Sequence, residues 1–337
     1  MQTTIKAWCE EIRNKPSRVA VPIMTHPGIE LTGATVLDAV TKGQVHYEAI
    51  RALHDRYPAA AVTMIMDLTV EAETLGAKIN FEKDNIPAVS ERLINQMEEV
   101  DALIVPEPES SPRLAEYLKA ARLALENIKD VPVFPGCIGP FSLAGRLLDM
   151  TEIMTAIYLY PDVIHQLLGK CSLFILNYVK AYKALGAHGV IMAEPAAGLL
   201  GEDDCDQFSS SYIKRIIDEV QDDRFMVVLH NCGHHGILAR SMVSTGANAL
   251  HLGNAADMGM VLDEVPSDIL VMGNIDPVNI LKTQAPEVVR EKTMALLLQS
   301  KGHDNFVLSS GCDMPPGVPL ENIAAFFKAL DDFNAVK

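Results

Sequence analysis

The chain has 337 residues, 49% of them hydrophobic, enough to bury a large core. Lys and Arg number 28 against 44 Asp and Glu, a formal net charge of −16 with no basic stripe. This excludes nucleic acid or an anionic membrane as a partner held by the overall field, and no apolar run approaches the length of a membrane span. The start, Met1-Gln-Thr-Thr-Ile-Lys, has no apolar signal core. Six scattered cysteines do not form a disulfide framework. A cytoplasmic protein with reduced thiols is expected.

In chain order, eight short apolar runs read as buried strands. Val19 to Met24 leads into Thr25-His26-Pro27-Gly28. Ala61 to Met66 ends at Asp67, and Val131 to Cys137 runs into Ile138-Gly139-Pro140-Phe141. Gly189 to Ala193 ends in Glu194-Pro195, and Phe225 to His230 continues into Asn231-Cys232-Gly233-His234. Ala247 to Leu252 is followed by Asn254, Ile269 to Gly273 by Asn274-Ile275-Asp276-Pro277, and Asn305 to Ser310 by Gly311-Cys312-Asp313. Helical patterns lie between them, among them Val89 to Val100, Ser111 to Asn127, Tyr160 to Leu185, Ser209 to Val220 and Pro286 to Ser300. Alternating strand and helix implies a parallel sheet, and eight strands imply a (β/α)8 TIM barrel. An N-terminal helix precedes it, and residues 67–130 and 141–187 hold extra helices after the second and third strands. With no linker, repeat or low-complexity stretch, residues 1–337 read as one domain.

Polar and ligand-type residues collect where the strands end, the face on which barrel enzymes place their chemistry. Some of this is ordinary turn composition, which explains His230-x-Cys232 and the later Cys312 less well. Residues i and i+2 of a strand share a face, so His230 and Cys232 can converge, and Cys312 can join them from the eighth strand. One imidazole and two thiolates form a zinc site with an open position, suited to activating a bound thiol. The competing reading is two core thiols and a hydrogen-bonded histidine. Asp67 and Glu194 are candidates for polarising a ligand or for capping the following helix. Asn274, His26 and His251 are candidates to line the cavity, and Asp276 fits an N-cap at least as well as a catalytic role. No GxGxxG or Walker-type sequence is present, so neither a dinucleotide nor ATP is expected.

These residues resemble the uroporphyrinogen decarboxylase superfamily over essentially the whole chain. Within it, the chain is more similar to the methylcobamide:coenzyme M methyltransferases and related corrinoid-dependent methyltransferases than to the porphyrin decarboxylases. The likeness is carried by Asp67-Leu68-Thr69-Val70-Glu71-Ala72-Glu73, Gly139-Pro140-Phe141, Ala193-Glu194-Pro195, His230-Asn231-Cys232-Gly233, Gly273-Asn274-Ile275-Asp276-Pro277 and Ser310-Gly311-Cys312-Asp313. It implies that His230, Cys232 and Cys312 bind zinc, and that the zinc holds a thiol as thiolate. The thiolate takes a methyl group from a methylated corrinoid (a methylcobamide) on a small carrier protein. Beside these ligands, Asp67, Glu194 and Asn274 are the candidates for catalytic or cavity roles, and His26, Asp276 and His251 those for contact with the corrinoid. Two departures stand out. The Arg-rich N-terminal segment of the decarboxylases has no counterpart in Arg18 to Gly28, which weakens tetrapyrrole decarboxylation as an alternative. The coenzyme M enzymes carry an acidic residue after the sixth strand, close to the metal, where this chain reads Leu250-His251-Leu252-Gly253-Asn254-Ala255-Ala256-Asp257, which implies a different fourth zinc position and a different thiol acceptor. A non-catalytic corrinoid-binding protein is the third reading.

Overall fold

The computed structural model describes residues 4–336. Its strands are β1 (Val62–Thr63), β2 (Lys78–Asn80), β3 (Ala88–Glu91), β4 (Val133–Phe134), β5 (Gly136–Ile138), β6 (Gly189–Ala193), β7 (Met226–Asn231), β8 (Ala249–Leu252), β9 (Leu270–Ile275) and β10 (Phe306–Ser310). β5 to β10 form a six-stranded sheet of sequential parallel neighbours, and β1 pairs with β4, also in parallel. Backbone hydrogen bonds continue around the circle. Val21 N donates to Leu308 O at 2.9 Å, Ala60 N to Ala20 O at 2.8 Å, Met64 N to Phe134 O at 3.1 Å and Ile191 N to Pro135 O at 2.9 Å. The architecture is the expected (β/α)8 barrel. No helix among the described residues is long and apolar enough to cross a membrane.

Prolines explain where the expected strands are shorter than their apolar runs. In residues 19–24 only Ala20 forms a bridge, to Leu308. Pro22 has no N–H to offer, and Ile23 N donates instead to Ser310 Oγ at 3.1 Å. Pro135 likewise splits the run 131–137 into β4 and β5.

The expected helix Val89 to Val100 is not formed. Ala88–Glu91 pairs antiparallel with β2, fastened at its exposed edge by Lys78 and Glu91 at 2.7 Å, and only Glu99–Ala102 is helical. The helical spacing in this stretch comes from two separate anchors, the buried Ile94 and Val100, which belong to different local structures. The extra helices do lie in the long links. Val70–Thr74 and Pro112–Asn127 follow β1, and Pro140–Leu148, Met150–Leu159 and Pro161–Ala184 follow β5.

Two apolar layers result. One fills the space between strands and outer helices. The other fills the barrel and contains Val21, Ile191, Met226, Val228, Ala249, Leu270, Met272 and Val307. The helix Ile5–Asn14 closes the floor of the barrel. Its Thr4 cap accepts from Ala7 N at 3.3 Å, and it buries Ile5, Trp8, Cys9 and Ile12, a spacing that makes one apolar stripe. Trp8 meets Phe134 edge-on at 5.9 Å. Strand parity then fixes what lies above this core. Two residues beyond Val228, Ala249, Met272 and Val307 stand His230, His251, Asn274 and Ser309, so a polar tier caps the apolar interior at the C-terminal end of the barrel.

Candidate metal centre

His230 is the inward residue near the end of β7, Cys232 follows that strand, and Cys312 lies two residues beyond β10. One donor atom from each falls within 4.8 Å of the others, with Cys312 Sγ 3.7 Å from His230 Nε2. His230 is buried and both cysteines are partly buried, so the cluster sits at the mouth of the barrel. Neither thiol is in a disulfide. The neighbouring Cys312 thiol lowers the proton affinity of Cys232, to about 7, against the burial that raises it, and the same contact, with burial, raises Cys312.

The loop after β8 presses against this cluster. A side chain on Gly253 would lie 2.6 Å from Cys232 Cα and 2.8 Å from its carbonyl oxygen, so only glycine fits there. That loop contributes no carboxylate to the group of His230, Cys232 and Cys312. Asn274 holds the loop down, its Nδ2 donating to Gly253 O at 2.9 Å and to Ala256 O at 2.7 Å. On the other side Asp313 fixes the Cys312 loop to the end of the segment 19–24. It accepts from Thr25 N at 3.1 Å and from Thr25 Oγ1 at 2.5 Å, with His26 Nδ1 at 3.5 Å. Burial lowers the proton affinity of His26, but Asp313 outweighs it and the net shift is upward.

Asp67, Glu194 and Asp276 are engaged as caps, the alternative that the sequence leaves open for Asp67 and Asp276. Asp67 is buried, and Oδ1 accepts from Thr69 N at 2.8 Å and Val70 N at 3.1 Å, which caps the helix Val70–Thr74. Its Oδ2 pairs with Arg113 Nη1. Glu194 caps a helix too, but that of the preceding barrel unit. Oε2 accepts from Phe141 N at 3.1 Å, and Oε1 accepts from Ser142 N at 2.5 Å and Ser142 Oγ at 2.6 Å. Burial raises its carboxyl to about 7 against these bonds. Asp276 caps the turn Pro277–Lys282 through Val278 N at 2.9 Å and Asn279 N at 2.7 Å. Of the three residues expected to meet a corrinoid, His26 and His251 are buried and Asp276 is partly exposed.

Sequence reading missed Ser309, whereas His234, which follows the Cys232 motif, is a residue it offers as a support for the metal. Ser309 looks like an ordinary core serine on β10, yet it contacts His251, which in turn contacts His230. His234 accepts from Gly236 N at 2.8 Å through Nδ1 and leaves Nε2 buried without a hydrogen-bond partner among the described residues.

The family model described as uroporphyrinogen decarboxylase (URO-D) matches residues 14–333. The methylcobamide:CoM methyltransferase MtbA of Methanosarcina mazei is 27% identical over 299 residues, covering 88% of this chain and 86% of that protein. The MtbA of Methanosarcina acetivorans is 29% identical over 267 residues, covering 78% and 77%. The uroporphyrinogen decarboxylase of Synechococcus sp. (strain CC9605) is 29% identical over 279 residues, covering 80% and 77%. Among solved structures, a methyltransferase from Methanosarcina mazei superposes with a TM-score of 0.88 at 22% identity, covering 98% of this chain and 99% of that one. A B12-independent methionine synthase from Shewanella sp. W3-18-1 superposes at 0.60 with 15% identity, covering 95% and 97%. These two likenesses speak to the fold.

Proposed function

The chain belongs to the uroporphyrinogen decarboxylase family, and from that premise we propose that it is a zinc-dependent methyltransferase. On this reading residues 1–337 act as one catalytic domain. A methyl group passes between a corrinoid, carried on a separate small protein, and a small-molecule thiol. The observation that carries the reading is the donor cluster of His230, Cys232 and Cys312. With Zn–S near 2.3 Å and Zn–N near 2.0–2.1 Å, a tetrahedral site needs sulfur and nitrogen donors about 3.5 Å apart. The 3.7 Å between Cys312 Sγ and His230 Nε2 matches that edge. The donor set fits zinc with one position open to a ligand.

Zinc bound there would hold the acceptor as its thiolate, the nucleophilic form that a free thiol scarcely populates at neutral pH. The residues set the electrostatics. Two cysteinates and a neutral imidazole balance a divalent ion, so an arriving thiolate makes the site anionic and electron-rich. Zinc held by His230, Cys232 and Cys312 would supply a sulfur nucleophile for the methyl group, with the thiol proton lost to solvent and the electron pair of the broken bond kept by the methyl donor. Asn274 contributes by holding Gly253 against Cys232, and Asp276 is the candidate contact for the corrinoid at the rim. Asp67 and Glu194 shape the mouth by anchoring helices.

Incubating the protein and zinc with methylcobalamin and a panel of small thiols tests the proposal. The expected result is loss of the methylcobalamin absorbance with formation of a methyl thioether, identified by mass. A parallel incubation with uroporphyrinogen is expected to show no stepwise loss of carboxylates on chromatography. Carboxylate loss without zinc would establish the decarboxylase reading instead, and corrinoid binding without transfer would favour a non-catalytic capture protein.

The closeness of Gly253 gives a second expected outcome. Gly253→Ala must push Cys232 aside, because the clash is with backbone and not with a flexible side-chain tip. Zinc affinity, measured by competition with a chromophoric chelator, is expected to fall by roughly tenfold or more. Unchanged affinity would mean that Cys232 does not ligate.

A further inference from the structure

We propose that His251 and Ser309 are positioning residues that lock His230 in the tautomer protonated on Nδ1, so that its Nε2 lone pair faces the two thiols. The proposal deepens the metal reading above and rests on it. It also makes a claim about the metal-free protein that stands apart from turnover.

The chain of contacts starts at a group with only one possible role. The carbonyl oxygen of Val21 accepts and cannot donate, and Ser309 Oγ lies 2.8 Å from it, so the single hydroxyl proton of Ser309 points there. The free lone pairs of Ser309 then meet His251 Nε2 at 2.8 Å, so that nitrogen carries a proton. The other nitrogen of His251, Nδ1, faces His230 Nδ1 at 2.8 Å. Two N–H groups cannot point at each other across that distance, so one nitrogen donates and the other accepts. The direction is settled by a second contact: His230 Nδ1 is also 3.3 Å from the carbonyl oxygen of His251, which only accepts. The proton therefore sits on His230 Nδ1. His251 Nδ1 receives it, and His230 Nε2 keeps its lone pair 3.7 Å from Cys312 Sγ.

The chain of contacts runs from β7 to β8, then across the interior to β10 and to Val21 in the segment 19–24. All four of its groups are buried. It ends on a carbonyl, so it conducts no proton. Its work is to fix which nitrogen is free and to hold the plane of the ring, as outer partners of ligating histidines do in metal sites generally. Free histidine favours the opposite tautomer, so without these contacts His230 would have to shift its proton before binding a metal. His251 also takes part in an edge-to-face contact with His230, centroids 4.6 Å apart at 74°, which fixes the ring orientation.

Three variants and two readouts test this. Long-range 1H–15N correlation spectra of the metal-free protein at pH 8 are expected to show His230 protonated on Nδ1 and His251 on Nε2. His251→Leu removes the acceptor, and zinc affinity by chelator competition is expected to fall roughly 10–100-fold. His251→Asn places a neutral amide oxygen where Nδ1 was and is expected to restore most of that loss. Ser309→Ala, which leaves His251 in place, is expected to give mixed tautomers of His251 and a smaller loss. A His230 ring protonated on Nε2, or unchanged affinity in His251→Leu, overturns the proposal. Wild-type protein that binds no zinc would sink the metal reading, while the spectra would still decide the tautomer.

Discussion

Replacing Cys312 by serine is expected to strip the protein of zinc and abolish methyl transfer. The oxygen of serine is shorter in reach and remains protonated where a thiol would ionise on the metal, so the site loses both a ligand and a negative charge. The loss should exceed the roughly 10–100-fold that removal of an outer-shell partner costs. Cys232→Ser is expected to act likewise, because the neighbouring Cys312 thiol already lowers its proton affinity, to about 7, and makes it the readier anion of the pair. Cys9→Ser is the control. Cys9 lies on the floor helix with its Sγ 3.9 Å from Met226 Sδ, and burial holds its thiol up at about 12. It is expected to keep about one zinc per chain. Metal content by inductively coupled plasma mass spectrometry, beside the methylcobalamin and thiol assay, reads all three. Full zinc and full turnover in Cys312→Ser would remove the basis of the proposed function.

The parts of this site that were legible in the sequence are those encoded by short-range regularity. Apolar runs at strand length gave eight strands. Period-two alternation put His230 and Cys232 on one face, and β10 brought Cys312 to the same rim. What escaped is held by contacts between barrel units. Glu194 was expected to act in the cavity or to cap the helix after its own strand, but it caps the helix Pro140–Leu148 of the unit before it. Gly253 reads as a turn glycine until Cys232 is seen against it. Ser309 has no signal of its own, because its role depends on parity matching His251 across an intervening strand. In the segment 89–100 periodicity misled outright. Apolar residues at helical spacing there serve a hairpin and a separate short turn, and only tertiary burial of Ile94 and Val100 separates the two cases.

Arg113→Met is expected to destabilise the protein by about 3–5 kcal/mol, because it leaves the carboxylate of Asp67 buried without its counter-charge. Arg113 reaches from the helix Pro112–Asn127 to pair with Asp67 and Glu73, and donates from Nη2 to Thr69 Oγ1 at 2.9 Å. Its guanidinium also lies over the ring of Phe81, 5.2 Å from the centroid. Asp67 and Arg113 are almost wholly buried, at 3% and 7% exposure, so solvent screening does little to soften the loss. Urea unfolding of the purified variant gives the number. The same pair also separates the two chemistries open to this family. Were Asp67 the centre of a decarboxylation, a free carboxylate would have to face the substrate. Here one oxygen caps a helix and the other is taken by Arg113. Asp67→Asn is therefore expected to lower the unfolding midpoint while leaving the methyl-transfer rate per folded molecule nearly unchanged. If the rate instead collapses in a variant of normal stability, Asp67 belongs to the chemistry, and the ion pair with Arg113 must open during turnover.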